Sequence, residues 1–167
     1  CLAFSPNGNV LASGGDDHAV TLWDINTRKL ITTLRTEYDN PVVSLAFSPD
    51  GKILAEADGE RGNISLWDVS NYPMLIRSFD SYSTSHNLKF NPTGKILASG
   101  GWNGINPWDM TKSFPDRVAK LMIGHTSAVT TLAFSPNNSV LVSGSADGTA
   151  MLWDTTTFLP IQQIANY

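Results

Sequence analysis

The sequence holds little that would support covalent or metal chemistry. Its one cysteine is Cys1, which excludes a disulfide framework, a cysteine zinc site and an iron–sulfur site. Lys and Arg number 11 against 15 Asp and Glu, a net charge of −4, and no basic run occurs. Nothing is therefore in place to hold a nucleic-acid backbone or an anionic membrane surface. No apolar stretch approaches the ~18 residues that a membrane-spanning helix needs. No window of useful length has the 3.6-residue apolar period of a helix. The first residues, Cys1-Leu2-Ala3-Phe4-Ser5-Pro6, include neither an initiator Met nor a charged and then apolar leader. They read as the inside of a strand, so a piece of a longer polypeptide is expected, with a cytoplasmic location.

What is present is ordered repetition. Across 167 residues, 41% of them hydrophobic, Phe-x-Pro recurs at Phe4, Phe47, Phe90 and Phe134, at spacings of 43, 43 and 44. Trp-Asp recurs at Trp23, Trp67, Trp108 and Trp153, at spacings of 44, 41 and 45. Two independent markers keep one period, and internal periods of this length indicate stacked structural repeats. Four units fill the chain without a linker, at about 1–37, 38–80, 81–124 and 125–167.

Each unit reads as four short strands, a to d, separated by turn signals. In the fourth, Ala128 to Phe134 is strand a, Val140 to Ser143 strand b, Ala150 to Trp153 strand c and Ile161 to Ile164 strand d. Asp147-Gly148 marks the tight b–c turn. Strand c alternates with period 2, with Val20 and Leu22 on one face and Thr21 and Trp23 on the other. Strand a does not alternate strictly. Val129, Leu132 and Phe134 are spaced by 3 and then 2, as are Val42, Leu45 and Phe47, which predicts a β-bulge. A four-stranded unit cannot bury both faces alone. Face-to-face stacking around an axis is the propeller solution.

These residues resemble the WD-repeat (WD40) family over the entire chain. The resemblance rests on the four Trp-Asp pairs, the Leu-Ala-Phe-Ser-Pro runs at 2–6, 45–49 and 132–136, the Leu-Ala-Ser-Gly-Gly runs at 11–15 and 97–101, and the pair Gly124-His125. It implies an all-β fold, a β-propeller of four consecutive four-stranded antiparallel blades, and a partial arc of a seven-bladed ring with further blades outside this chain. The close likeness of the repeats points to a prokaryotic-type member. The resemblance further implies a structural tetrad, complete only in unit four: His125, Ser143, Asp147 and Trp153. Asp147 is expected to accept from the imidazole N–H and from turn amides. Ser143 is expected to accept from Trp153 or donate to the imidazole. A His-Ser-Asp set also invites a catalytic reading, but Ser and Asp sit on one hairpin and no nucleophile elbow is present.

The other units depart from this pattern. Unit two has Tyr38 for His125, Glu56 for Ser143 and one extra residue in its b–c turn. Unit three has Ser81 and Asn103 at the His and Asp positions, and Pro107 inside strand c removes a ladder donor. Their sequences are either freed for binding or drifted. Trp102 stands in the b–c turn of unit three, on the face that the family uses for partners. It either forms an interface hot spot or folds onto a neighbouring blade. Tyr38, Tyr82 and Arg61 are expected on the same rim, and Arg61 has a second possible role in pairing with Glu56. Asp16-Asp17-His18 offers metal-ligand types but falls in a b–c turn and reads as solvated. No metal, no cofactor and no catalytic residue is expected.

The expected function is thus a non-enzymatic scaffold that binds a protein or peptide through its loops. The alternative is a sensing or gating propeller of a larger enzyme whose catalytic domain lies outside this chain. Channel-lining strand a offers Leu, Ala, Val and Thr, with Lys89 and His86 only in unit three, too little for a reaction.

Overall fold

The computed structural model describes residues 1–36, 39–81, 84–102, 104–119 and 121–166, with the side chains of 85, 86, 165 and 166 left aside. The chain is all-β and divides into two compact units, Cys1–Ser85 and His86–Tyr167. In unit 1, strands β1 (Leu2–Phe4), β2 (Val10–Gly14), β3 (Ala19–Asp24) and β4 (Lys29–Arg35) form sheet 1. Strands β5 (Val42–Phe47), β6 (Ile53–Asp58), β7 (Asn63–Asp68) and β8 (Met74–Asp80) form sheet 2. Unit 2 holds sheet 3, from β9 (Ser85–Phe90), β10 (Ile96–Gly101) and β11 (Gly104–Asp109). It also holds sheet 4, from β12 (Val129–Phe134), β13 (Val140–Ser145), β14 (Thr149–Asp154) and β15 (Pro160–Asn166). Every sheet is a meander with neighbours in chain order.

The repeated motifs build the hairpins. After β1, the Ser5 hydroxyl donates to Asn7 Oδ1 at 2.8 Å and accepts from the Val10 amide at 2.9 Å. Gly8 closes the turn at φ +72°. Ser48, Asp50 and Gly51 repeat this after β5, as do Ser135, Asn137 and Asn138 after β12. The Asp of each Trp-Asp pair forms the next turn: Asp24 accepts from the Thr27 amide, Asp68 from Ser70, Asp109 from Thr111 and Asp154 from Thr156 and Thr157. Such side-chain acceptors mimic a backbone turn. The bulge expected in strand a is present, with register shifts between Val42 and Ser44 and between Val129 and Thr131.

Each unit has one seam. In unit 1, Ala12, Val20, Leu22 and Leu34 of sheet 1 meet Val42, Leu45, Leu54 and Trp67 of sheet 2. In unit 2, Ala98, Ile105 and Met122 meet Val129, Leu132, Leu141, Met151 and Trp153. A fully buried Leu or Ile contributes roughly 1.5–3 kcal/mol. The seams are therefore the main source of cohesion inside each unit.

Among the described residues sheet 3 has three strands. Where a fourth strand was expected, an irregular segment is bridged to β11 at Ile105–Met122 and Trp108–Arg117. Pro107 explains how this is tolerated. Its carbonyl accepts from the Val118 amide on the outer edge, so its missing N–H would also have pointed outward, and the β10 ladder loses nothing. Gly104, at φ +113°, lets the segment close in, because a Cβ there would collide with the Met122 carbonyl.

Candidate functional site

Sheet 4 brings the four tetrad residues together. The Trp153 Nε1–H donates to Ser143 Oγ at 2.8 Å. Ser143 Oγ lies 2.7 Å from His125 Nε2. His125 Nδ1 lies 3.1 Å from Asp147 Oδ2 and 3.0 Å from Thr149 Oγ1. Thr149 uses its own proton on Asp147 Oδ1 at 2.6 Å. One proton assignment satisfies every group: Ser143 accepts from the indole and donates to Nε2, and the Nδ1–H donates to Asp147. The chain of donors runs in one direction, from indole to hydroxyl to imidazole to carboxylate.

Asp147 also accepts the amides of Thr126 at 2.8 Å and Thr149 at 2.9 Å. Burial works to raise its pKa. The Thr149 hydroxyl, the Thr126 and Thr149 amides and His125 outweigh that, and hold the carboxyl well below the ordinary range. Gly124 leaves room for this packing, since a Cβ there would press on Met151 and the Trp153 ring. Ser143 is fully buried, and Trp153, 1% exposed, shares its hydroxyl. A substrate has no approach to that oxygen, so the arrangement is unsuited to nucleophilic attack.

The other sheets vary this theme. In sheet 3 the Trp108 indole donates to Ser99 at 2.9 Å. In sheet 1 the Trp23 indole donates to Ser13 at 3.1 Å, but Trp23 is 39% exposed and Asp17 is on the surface. Sheet 2 substitutes carboxylates. Glu56, 1% exposed, accepts from the Trp67 indole at 3.1 Å. Burial is the main cause that pushes its carboxyl up to about 7; the Trp67 bond works against the shift, and neighbouring Asp58 adds to it. Asp58 takes over the turn: its Oδ1 accepts the amides of Arg61, Gly62 and Asn63, and its Oδ2 the side-chain amides of Asn40 and Asn63. Sequence reasoning missed Asp58 and Asn40, which lie two residues away from the repeat's Asp and His positions. An Asp-Gly pair at the end of a strand was the available signal.

The turn residues fall in two places. Trp102, in the b–c turn of sheet 3, is 63% exposed, and Ile123, beside the Met122 bridge to that hairpin, is 71% exposed. Arg61 belongs to unit 1, where its amide donates to Asp58 at 2.9 Å. Tyr38, Tyr82 and Asn103 lie outside the described residues. Among the described residues no group of three or more His, Cys, Asp or Glu is placed to hold a metal ion.

Comparison with known proteins adds to this geometry. The family model described as "WD domain, G-beta repeat" matches residues 1–24, 28–68 and 117–154, more than half of the chain. The gap between the second and third matches contains all three strands of sheet 3. Periodic tryptophan protein 2 of Arabidopsis thaliana is 29% identical over 92% of this chain and 17% of its own length. Small ribosomal subunit protein RACK1y of Oryza sativa subsp. japonica is 29% identical over 95% of this chain and 48% of its own. Protein LST8 homolog of Drosophila pseudoobscura pseudoobscura is 28% identical over 94% and 51%. The chain thus spans from about a sixth to about half of these relatives. All three are eukaryotic, and they lend no support to the expectation of a prokaryotic-type member. That expectation rested on the likeness between repeats, and such likeness reflects shared packing demands rather than source.

Proposed function

The chain belongs to the WD40 family of G-beta repeat proteins, and from that premise we propose that it is a non-enzymatic scaffold that binds a protein or peptide through its b–c turns and d–a loops. Proteins of this family are generally interaction scaffolds. One observation carries the reading: the recurring polar residues are consumed by internal hydrogen bonds, while a large aromatic side chain, Trp102, stands 63% exposed in a turn. Exposed Trp is enriched at interface hot spots, and turns held by rigid strands are where binding residues concentrate. Ile123 widens the apolar surface available in unit 2. Arg61, whose turn is fastened by Asp58, offers unit 1 a cation on a fixed frame. One relative is named as a ribosomal subunit protein, a component of an assembly, which suits a scaffold.

The test uses peptides selected against the full chain from a random library. Trp102→Ala is expected to weaken their binding at least about thirtyfold, the lower bound for a hot-spot truncation, with the melting temperature nearly unchanged. A large loss of stability with binding retained would place Trp102 in the packing instead and defeat the proposal.

A further inference from the structure

The seam of unit 1 contains a titratable group that the scaffold reading does not use. Glu56 lies directly opposite Leu45 on β5 and Ser65 on β7, on the face where Leu45, Leu54 and Trp67 meet Ala12, Val20, Leu22 and Leu34. A carboxyl so placed faces hydrocarbon from the neighbouring sheet, and an ionised carboxylate there loses its hydration. Among the described residues its hydrogen-bond donor is the neutral indole of Trp67. Charges near it bring no compensation. Strand β5 has no titratable side chain, and β7 has only Asp68, paired with Ile53 at the far end. Strands β1 and β2 add none. From β3 and β4 come Asp24, at the end of its strand, and the exposed Lys29 and Arg35. Glu60, Arg61 and Asp39 belong to the loops, as do Asp16, Asp17 and His18 of the sheet 1 turn that meets β5 at Val42, and β8, on the far side of β7, carries Arg77 and Asp80. On β6 itself the neighbour is Asp58, of like sign, two residues away on the same face.

We infer that Glu56 is a proton-operated latch of the seam between sheets 1 and 2. Protonated, it is a neutral acceptor for Trp67, and the apolar faces close over it. When its proton leaves to solvent, a charge is left facing Val20, Leu22 and Leu34, beside the carboxylate that fastens the 58–63 turn. Both the seam and the turn then open more readily. Sheets 1, 3 and 4 have Ser13, Ser99 and Ser143 at this register and contain no such latch. The inference is independent of whether Arg61 or Trp102 binds anything.

Two measurements on the full chain test it. The Trp67 indole proton resonance is followed by NMR from pH 4 to 9, with Trp108, bonded to the Ser99 hydroxyl, as the internal control. The expected midpoint is about 7, with Trp108 flat across the neutral range. Amide exchange of β5 and β6 is then measured at pH 6 and pH 8 and corrected for its intrinsic pH dependence. A carboxyl raised from 4.5 to about 7 increases the opening equilibrium about tenfold over that interval. Glu56→Gln and Glu56→Ser should both abolish the increase, and the Ser variant keeps the test alive should the Gln variant fold poorly. A Trp67 resonance that is flat, or that titrates near 4.5, overturns the latch. So does an exchange response shared by wild type and both variants.

Discussion

At the register where sheet 4 has Ser143, sheet 2 has Glu56, and the two seams differ in consequence. In unit 2 a hydroxyl relays the Trp153 indole to His125 and on to Asp147, and every polar group has a partner. In unit 1 a carboxyl ends the relay at once, and a second acid, Asp58, serves the turn separately with Asn40. The hydrocarbon around both is alike: Leu45, Leu54 and Trp67 against sheet 1, Leu132, Leu141 and Trp153 against sheet 3. The lesson is that the apolar frame dictates the fold, while the polar residue at its centre dictates how the seam responds to protons.

The largest expected effect tests the frame itself. Trp153→Ala should cost unit 2 about 3–5 kcal/mol, the range for truncating a buried aromatic. Trp23→Ala, at a site already 39% exposed, should cost under about half of that. Urea unfolding of the two variants checks this, and equal losses would mean that the seam does not define cohesion.

Next comes pH, where the seams should move in opposite directions. The Glu56 pKa is raised to about 7 in the folded chain, so its contribution is fully present below about 4.5 and is lost as pH rises through 7. Between pH 5 and 8, unit 1 should lose roughly 2–3 kcal/mol. The Asp147 pKa is lowered, so its contribution is present above about 3.8 and is lost as pH falls through the folded value. Acid should therefore loosen unit 2 while relieving Glu56 in unit 1. Residue-resolved exchange from pH 3 to 8 separates the two, and parallel behaviour would remove the contrast.

Smaller effects sharpen it. Asp147→Ala and Asp58→Ala should each cost about 1–3 kcal/mol, because turn amides lose their acceptor. Asp17→Ala, at the matching position of sheet 1 but on the surface, should stay within about 0.5 kcal/mol. Thermal unfolding of the three variants ranks them. The least expected change in stability is that of Trp102→Ala, whose effect belongs in binding titrations.

Much of this was legible beforehand. The period of Phe-x-Pro and Trp-Asp reads out four meanders because each motif makes its own turn: Ser5 with Asn7, and Asp24 with Thr27, close bonds within a few residues. The bulge at Val129 was legible from spacing. The four residues of the sheet 4 network could be named from the family resemblance, whereas Asp58 could not, because its partners Asn40 and Asn63 converge only when the enlarged turn folds back. The irregular segment beside β11 was half legible. Pro107 announces irregularity, but which edge it faces is a matter of pairing.

Sequence alone therefore determined the strands, their turns and the side chains that face together, because bonds of short range and a period of two residues need no distant partner. Tertiary structure decided what each face meets. Only the closing of sheet 1 over sheet 2 encloses Glu56 in hydrocarbon and turns an ordinary acid into one that resists its own charge. Desolvation is a property of the surroundings, and the surroundings arrive from elsewhere in the chain.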